Sequence, residues 1–416
     1  MKKSFKWIIY DLGHTGFTMI VMAMLFPILF NQFYAASLSE TAKTSYYGLT
    51  IGCASILVAI ASPFLAAFAQ ASGLRMKLMR AFAGTGILGT AALYFVEQNQ
   101  WQLAALVYII AAVGFYGANL FYDSLLLDFS NEKNRHTVSG AAFSLGYFGG
   151  VILLFLIGFW TMKTTFPPQA LFAIGALWWL VFALPLLAHR ETKSLDGNAT
   201  FANAFKELKS TTYAFWQNKQ LRYFILAYFL YIDGVGTVVT SAVRYGNALG
   251  FSQMQLFIAL FLVQIFGIPC ALIFGWLGKK YGAKPVLLIA LALYVGITFF
   301  GAIIPTTPLI ICGNALSPMF ILAAGIGMVQ GGVQALSRSY FSTIVPAEKE
   351  VAFFGFYSMI GRCSTVIGPF ILSAAAIAFD RPGEPLFSTR AGFACLALLF
   401  VAGAIFLIRV PAKNHS

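Results

Sequence analysis

Two charged residues stand where charge is most expensive. Asp233 lies inside LRYFILAYFLYIDGVGTVVTSAVRY (Leu221–Tyr245), a stretch apolar and long enough to cross a bilayer as a helix. Arg362 lies well inside a second such stretch, between FFGFYSMIG and CSTVIGPF. An ionised side chain in hydrocarbon costs at least a few kcal/mol unless it meets water, a partner or a ligand. The planar guanidinium of Arg362 can therefore hold an anionic substrate group, or be neutralised by Asp233. Asp233, too short to snorkel to the headgroups, can take a substrate amine or a proton.

Further polar groups fall at helical spacing within apolar runs. Tyr116, Asn119 and Asp123 share one helix face in YGANLFYD, too polar to meet lipid, and read as cavity lining or as a buried network. Gln330, Gln334 and Arg338 repeat the pattern beside Gly327, Gly331 and Gly332, which leave a face smooth enough for close packing. Arg338 falls near the cytoplasmic end of its run and reads as a gate charge. Asp11 follows a cationic start and reads as a gate or proton site, or as a helix-start cap. His14 is one turn from Asp11 and can share a proton with it, or simply pack. Arg244 sits at the outer end of its run, where it can snorkel.

The elements that position these groups follow from composition. Of 416 residues, 59% are hydrophobic and 10% charged, and mean hydropathy is +0.80. So few charges cannot cover a soluble protein of this size. A net charge of +13 suggests a nucleic-acid binder, but Lys and Arg fall in short clusters between apolar runs and not on one stripe, so no nucleic-acid partner is expected. Runs of spanning length lie near 7–34, 46–70, 79–96, 101–127, 138–161, 169–188, 222–245, 253–278, 285–304, 309–337, 350–379 and 389–409. Alternate loops are rich in cations (Lys2, Lys3 and Lys6; Arg75, Lys77 and Arg80; Lys133 and Arg135; Arg190 to Lys219; Lys279, Lys280 and Lys284; Arg338 and Lys349; Arg409 and Lys413), whereas the others hold only Lys43, Lys163, Arg244, Arg381 and Arg390. The positive-inside bias puts both termini in the cytoplasm, as an even number of spans requires. The longest connection divides the chain into a six-helix bundle over 1–188, a cytoplasmic linker over 189–221 and a second bundle over 222–416. Phe201, Phe205, Leu208 and Phe215 recur in the linker among Lys206, Lys209 and Lys219, the pattern of an amphipathic helix on the membrane surface.

Each half opens alike, WIIYDLGHTGFTMIV in the first and YFLYIDGVGTVVT in the second, as in transporters built from repeats. The turn GWLGKKYGAKP (Gly275–Pro285) and its weaker copy AAFAQASGLRMK (Ala66–Lys77) resemble the major facilitator signature GxLaDxxGxkx. The signature's acid is replaced by Lys279 and by Gln70, so other charges must hold the cytoplasmic gate, or it is held more loosely. Within that superfamily, Tyr228–Gly246, Ala259–Lys284 and GMVQGGVQALSRSYFSTIVPAEKEVAFFGFYSMIGRCSTVIGP (Gly327–Pro369) resemble the vacuole-effluxer-like, autophagy-related branch with its bacterial members; YDLGHTGF, VSGAAFSLGYFGG and LWWLVFALP also fit. Leu12 and His14 stand where the branch shows an aromatic residue and Asn, and Arg362 where Lys is more usual.

The resemblance implies an all-α integral membrane protein of twelve transmembrane helices, with the major facilitator fold of two pseudo-symmetric six-helix bundles. Helices 1, 4, 7 and 10 would line the cavity. It implies a secondary transporter in a bacterial inner membrane, moving a small polar organic solute, an amino acid first among them, by alternating access. Substrate binding is assigned to Tyr116, Asn119, Asp233, Gln330, Gln334 and Arg362, and proton coupling or gating to Asp11, His14, Asp123 and Arg338. The expected partners are the solute, H⁺ as coupling ion and membrane lipids, for a monomer. An exporter of amphipathic drugs or siderophore-like compounds, and a non-transporting sensor or scaffold, are the alternatives.

No GxxxxGK[ST], GxSxG or clustered nucleophile and base occurs, so neither an ATP-driven pump nor an enzyme is expected. His14, His136, His189 and His415 are too scattered for a metal site, and no cofactor is expected. Lys2, Lys3 and Lys6 precede an apolar run too long for a cleaved leader, which reads as a retained helix. Cys53, Cys270, Cys312, Cys363 and Cys395 form no metal spacing and read as apolar packing residues.

Overall fold

The structure, a computed structural model, describes residues 3–163, 167–189, 201–311, 314–364, 367–381 and 385–411. Lys2, Arg190, Cys312, Lys413 and His415 lie outside the described residues. Among the described residues, twelve helical stretches are long and apolar enough to cross a membrane: Lys3–Tyr34, Glu40–Ser72, Arg75–Phe95, Trp101–Ser124, Arg135–Phe159, Ala170–Leu187, Lys219–Ala248, Gln253–Tyr281, Ala283–Ile303, Pro318–Ile344, Glu350–Ala378 and Leu386–Ile408. They are referred to below as spans one to twelve. The eleventh comprises the helices Glu350–Cys363 and Ile367–Ala378.

Hydropathy locates the spans because a helix satisfies its own backbone in lipid. Large apolar side chains then occur both inside and outside. Ile60 (75% exposed) and Leu88 (71%) point outward, an orientation that costs little when the solvent is hydrocarbon. Inside, Trp7, Tyr10, Phe17, Tyr108 and Trp179 are buried against other aromatic rings, as expected where helices associate by close van der Waals packing. Helix starts carry recognisable caps. Ser39 accepts from the Ala42 N–H, and Ser252 forms a reciprocal box with Gln255.

Three features depart from the sequence reading. The run near 309–337 opens not as a helix but as an antiparallel pair, β1 (Leu309–Ile311) with β2 (Asn314–Leu316), before the tenth span begins at Pro318. Proline lacks an N–H and suits a helix start, so it sets that boundary. The first span is irregular, with wide turns over Gly16–Leu25 and Phe30–Tyr34. There Phe26 N–H bonds Val21 O and Ala35 N–H bonds Phe30 O, five residues back. Such widened turns recur at functional sites, and hydropathy carries no trace of them. Lastly, Cys53 and Cys363, read as apolar packing residues, are exposed free thiols.

Contacts group the chain into two compact units. The first holds Met1–Asn131, Leu145–Ala214 and Val345–Arg362; the second holds Glu132–Ser144, Phe215–Ile344 and Cys363–Ser416. Each unit thus contains the opening turns of a span whose remainder belongs to the other: the eleventh in the first unit, the fifth in the second.

Candidate substrate and gate residues

In the first unit, Arg362 lies with its guanidinium carbon 3.9 Å from the centre of the Tyr116 ring. The Tyr116 hydroxyl reaches Met22 Sδ at 3.6 Å, on the widened part of the first span. Around this stack, Phe26 packs flat on Tyr108 with centroids 4.2 Å apart and tilts toward Tyr47 at 6.3 Å. A guanidinium over an aromatic face gains from the ring quadrupole. Tyr47, Tyr108 and Met22 were not picked out from sequence, since aromatic and Met residues in apolar runs resemble ordinary packing. Asn119, one turn from Tyr116, buries an Oδ1 with no hydrogen-bond partner among the described residues. Asp123 is half-buried further along the same helix.

Asp11 and His14 are brought together, with Oδ1 and Nδ1 3.3 Å apart and both residues buried. The imidazole sits among Tyr10, Phe115 and Tyr122, ring centroids 4.7 to 5.5 Å away. Its Nε2 has no hydrogen-bond partner among the described residues. A carboxylate holding one ring nitrogen fixes the tautomer.

In the second unit, Asp233 is fully buried, and each carboxylate oxygen is engaged. Oδ2 accepts from the Gly368 N–H at 2.8 Å, in the first turn of Ile367–Ala378, and Oδ1 from Thr237 at 3.4 Å. That is a capping arrangement, in which a negative charge meets the positive end of a helix. Gln330 and Gln334 are half-buried on the tenth span, and Gln330 Oε1 has no partner among the described residues. Arg338 is buried and fastened to the opening turns of the fifth span. Its Nε donates to Ser139 Oγ at 3.1 Å, a second nitrogen to Ser139 O at 3.4 Å, and the guanidinium covers the Phe143 ring at 4.6 Å. Arg135 donates to Ser342 O at 3.1 Å and His136 meets Ser339 Oγ at 2.8 Å.

The first unit holds the eleventh span's opening turns in the corresponding way, but with ions. The buried Arg75 pairs with Asp128, which follows the fourth span, and with Glu350 Oε1 at 2.7 Å. Gln70, which stands in place of the signature acid, donates to Glu348 O at 2.6 Å and accepts from Val351 N–H at 3.2 Å. Lys349 pairs with Glu207 of the linker helix at 3.3 Å and with Ser210. Arg75, Asp128 and Glu350 were missed from sequence: Arg75 read only as one of a loop's cations, and its acids lie 53 and 275 positions away. The missing signature acid was the one available pointer.

Both docked segments rely on glycine. A Cβ on Gly140 would lie 2.6 Å from Ala271 O on the eighth span, and one on Gly355 would lie 2.3 Å from Ala66 Cβ and 3.0 Å from Ser62 O on the second. Gly140 follows Arg135 by the same five residues as Gly355 follows Glu350, so the repeat persists in contacts where the charges have diverged. Gly355→Leu is expected to unseat residues 345–362. In a variant carrying Glu207→Cys and Lys349→Cys on a background without native cysteines, it should cut disulfide yield several-fold. An unchanged yield would show that the close approach is dispensable.

The linker helix, Phe201–Gln217, is present, but its apolar residues are not equally buried. Phe215 is buried and Leu208 half-buried, whereas Phe205 is 62% exposed. Positions ten apart on a 3.6-residue helix return to within about 80° of one another, which was too coarse to separate the two sides.

Comparison with known proteins agrees with this layout. The profile of a family described as "Vacuole effluxer Atg22 like" matches residues 34–416. The uncharacterized MFS-type transporter YxiO of Bacillus subtilis is 32% identical over 100% of this chain and 96% of its own. Autophagy-related protein 22-1 of Penicillium rubens is 28% identical over 65% of this chain and 48% of its own; the chain thus matches about half the length of that fungal relative. Among solved structures, the major facilitator proton:xylose symporter XylE superposes with a TM-score of 0.73 at 15% identity, covering 99% of this chain and 95% of that one. The human organic anion transporter MFSD10 superposes at 0.70 and 13% identity, covering 97% and 98%.

Proposed function

Because the chain belongs to the vacuole effluxer Atg22-like family and has the major facilitator fold, we propose that this membrane transporter is a secondary active carrier of a small polar organic solute. An amino acid or related metabolite is the leading class, moved by alternating access with H⁺ as the coupling ion. The observation that carries this reading is Arg362 inside an apolar span, its guanidinium laid on Tyr116. A cation laid on an aromatic ring inside a span can meet a carboxylate, as an anion-binding carrier needs. Arg362 holds the solute's carboxylate, with Tyr116 and Asn119 as neutral hydrogen-bonding groups on the same unit. Asp233, Gln330 and Gln334 are further substrate-binding residues, Asp233 taking an amine or a proton. Asp11 and His14 carry a proton, and Asp123 and Arg338 act at the gate. The protein works as a monomer in a bacterial inner membrane with both termini cytoplasmic.

Counterflow in proteoliposomes, with amino acids, organic acids and nucleosides at pH 5.5 and 7.5, tests this. Exchange of an anionic or zwitterionic solute is expected, reduced at least tenfold by Arg362→Ala and partly kept by Arg362→Lys. Met22, Phe26 and Tyr108 beside the stack favour a second reading, export of amphipathic compounds. Exchange of lipophilic cations, indifferent to Arg362→Ala, would replace the first reading with the second.

A further inference from the structure

The linker helix Phe201–Gln217 has two chemically distinct sides. Its inward side carries Ala204, Glu207, Thr211 and Phe215, with Glu207 and Ser210 holding Lys349. Its outward side shows Phe205, Tyr213 and Trp216, each more than 60% exposed, interleaved with exposed Lys206 and Lys209. On a 3.6-residue helix these five project within about 100° of arc. Neither lysine has an ion-pair partner among the described residues, although Glu207 lies on the same helix.

We propose that this outward face rests on the anionic lipid surface of the membrane the chain spans, with Lys206 and Lys209 on lipid phosphates and the three aromatic side chains in the headgroup–acyl boundary. Connectivity selects that occupant. The helix ends at Gln217, Asn218 caps the next helix through the Gln220 and Leu221 N–H groups, and the seventh span starts at Lys219. Only Asn218 separates the two helices, so Trp216 is tethered beside the point where the chain enters the bilayer. Tyr and Trp prefer that depth, and exposed aromatic residues with interspersed lysines match an interface that is apolar below and negative above. Each lysine near an anionic leaflet strengthens attachment on the order of 5-fold. The inference is independent of which solute is carried.

The test is amide hydrogen exchange over 201–217 in the full-length protein, in nanodiscs of phosphatidylcholine alone or with one third phosphatidylglycerol. Protection is expected to rise on the order of tenfold or more in the anionic discs. The rise should shrink in 0.5 M salt and be lost in Lys206→Gln/Lys209→Gln, whose exposed positions leave folding intact. Equal protection in both discs, or a lipid-dependent rise that survives the double substitution, overturns the proposal. So does protection that is absent from both discs and appears only in native membrane vesicles, which would put a protein on this face.

Discussion

Arg75→Ala is expected to destabilise the protein by on the order of 3–5 kcal/mol and to abolish controlled solute exchange. The side chain of Arg75 is 8% exposed, and those of its partners Glu350 and Asp128 are 12% and 30% exposed. Removing one member of a buried ion cluster leaves charge that neither water nor protein compensates, which is why breaking such a cluster costs more than the cluster itself contributes. Here two carboxylates lose Arg75 at once, and one of them opens the eleventh span. Gln70 would still hold Glu348 and Val351, but two neutral hydrogen bonds contribute only about 1–3 kcal/mol in all. The segment 345–362 should therefore spend much of its time undocked.

The alternative, that Arg75 is merely a structural cation, is separated by a compensated variant. Arg75→Ala combined with Asp128→Asn and Glu350→Gln removes all three charges. If the cluster is a gate, this triple variant recovers most of the melting temperature yet still leaks solute, because nothing re-forms the latch. Arg75→Lys should fall between, since a point charge cannot serve two carboxylates in fork geometry. A melting temperature and exchange rate for Arg75→Ala equal to those of the unaltered protein would remove Arg75 from the gate.

How far the molecule could be read from its residues depended on the range of the interaction involved. The twelve spans, the long linker and the two-part repeat were legible because each is written in local hydropathy and loop charge. The superfamily turn was legible for the same reason, and its defect was informative: Gln70 in place of an acid meant either other charges at the gate or a looser hold. What could not be read was which charges. Arg75 meets acids far away in the chain, and nothing local distinguishes Arg75 from Lys77 or Arg80. The neighbours of Arg362 were hidden for a different reason. Met22, Tyr47 and Tyr108 have the composition of any membrane helix, and the widened turns of the first span that carry Met22 leave the apolar pattern unchanged. The linker helix was found, but its faces were confused, since Phe205 and Phe215 have the same residue type and opposite burial.

Asp233 is where sequence and structure press hardest on one another, and its substitution carries the second large effect. A carboxylate deep in an apolar span reads as a functional acid, yet its two oxygens meet Gly368 N–H and Thr237. The two roles are compatible if the carboxylate caps the helix and relaxes that grip when it takes a proton. Asp233→Ala is expected to lose on the order of 1–3 kcal/mol, the cost of a buried N–H left without its acceptor, and to lose transport with it. Asp233→Asn keeps an acceptor oxygen for Gly368 and adds no bulk, so its melting temperature should stay within a few degrees. It cannot exchange a proton, so uptake driven by a pH gradient should fall at least tenfold while counterflow, which needs no net proton movement, persists. Should Asp233→Asn instead keep the full response to a pH gradient, the residue caps the eleventh span and nothing more, and the dyad of Asp11 and His14 becomes the acid to substitute next.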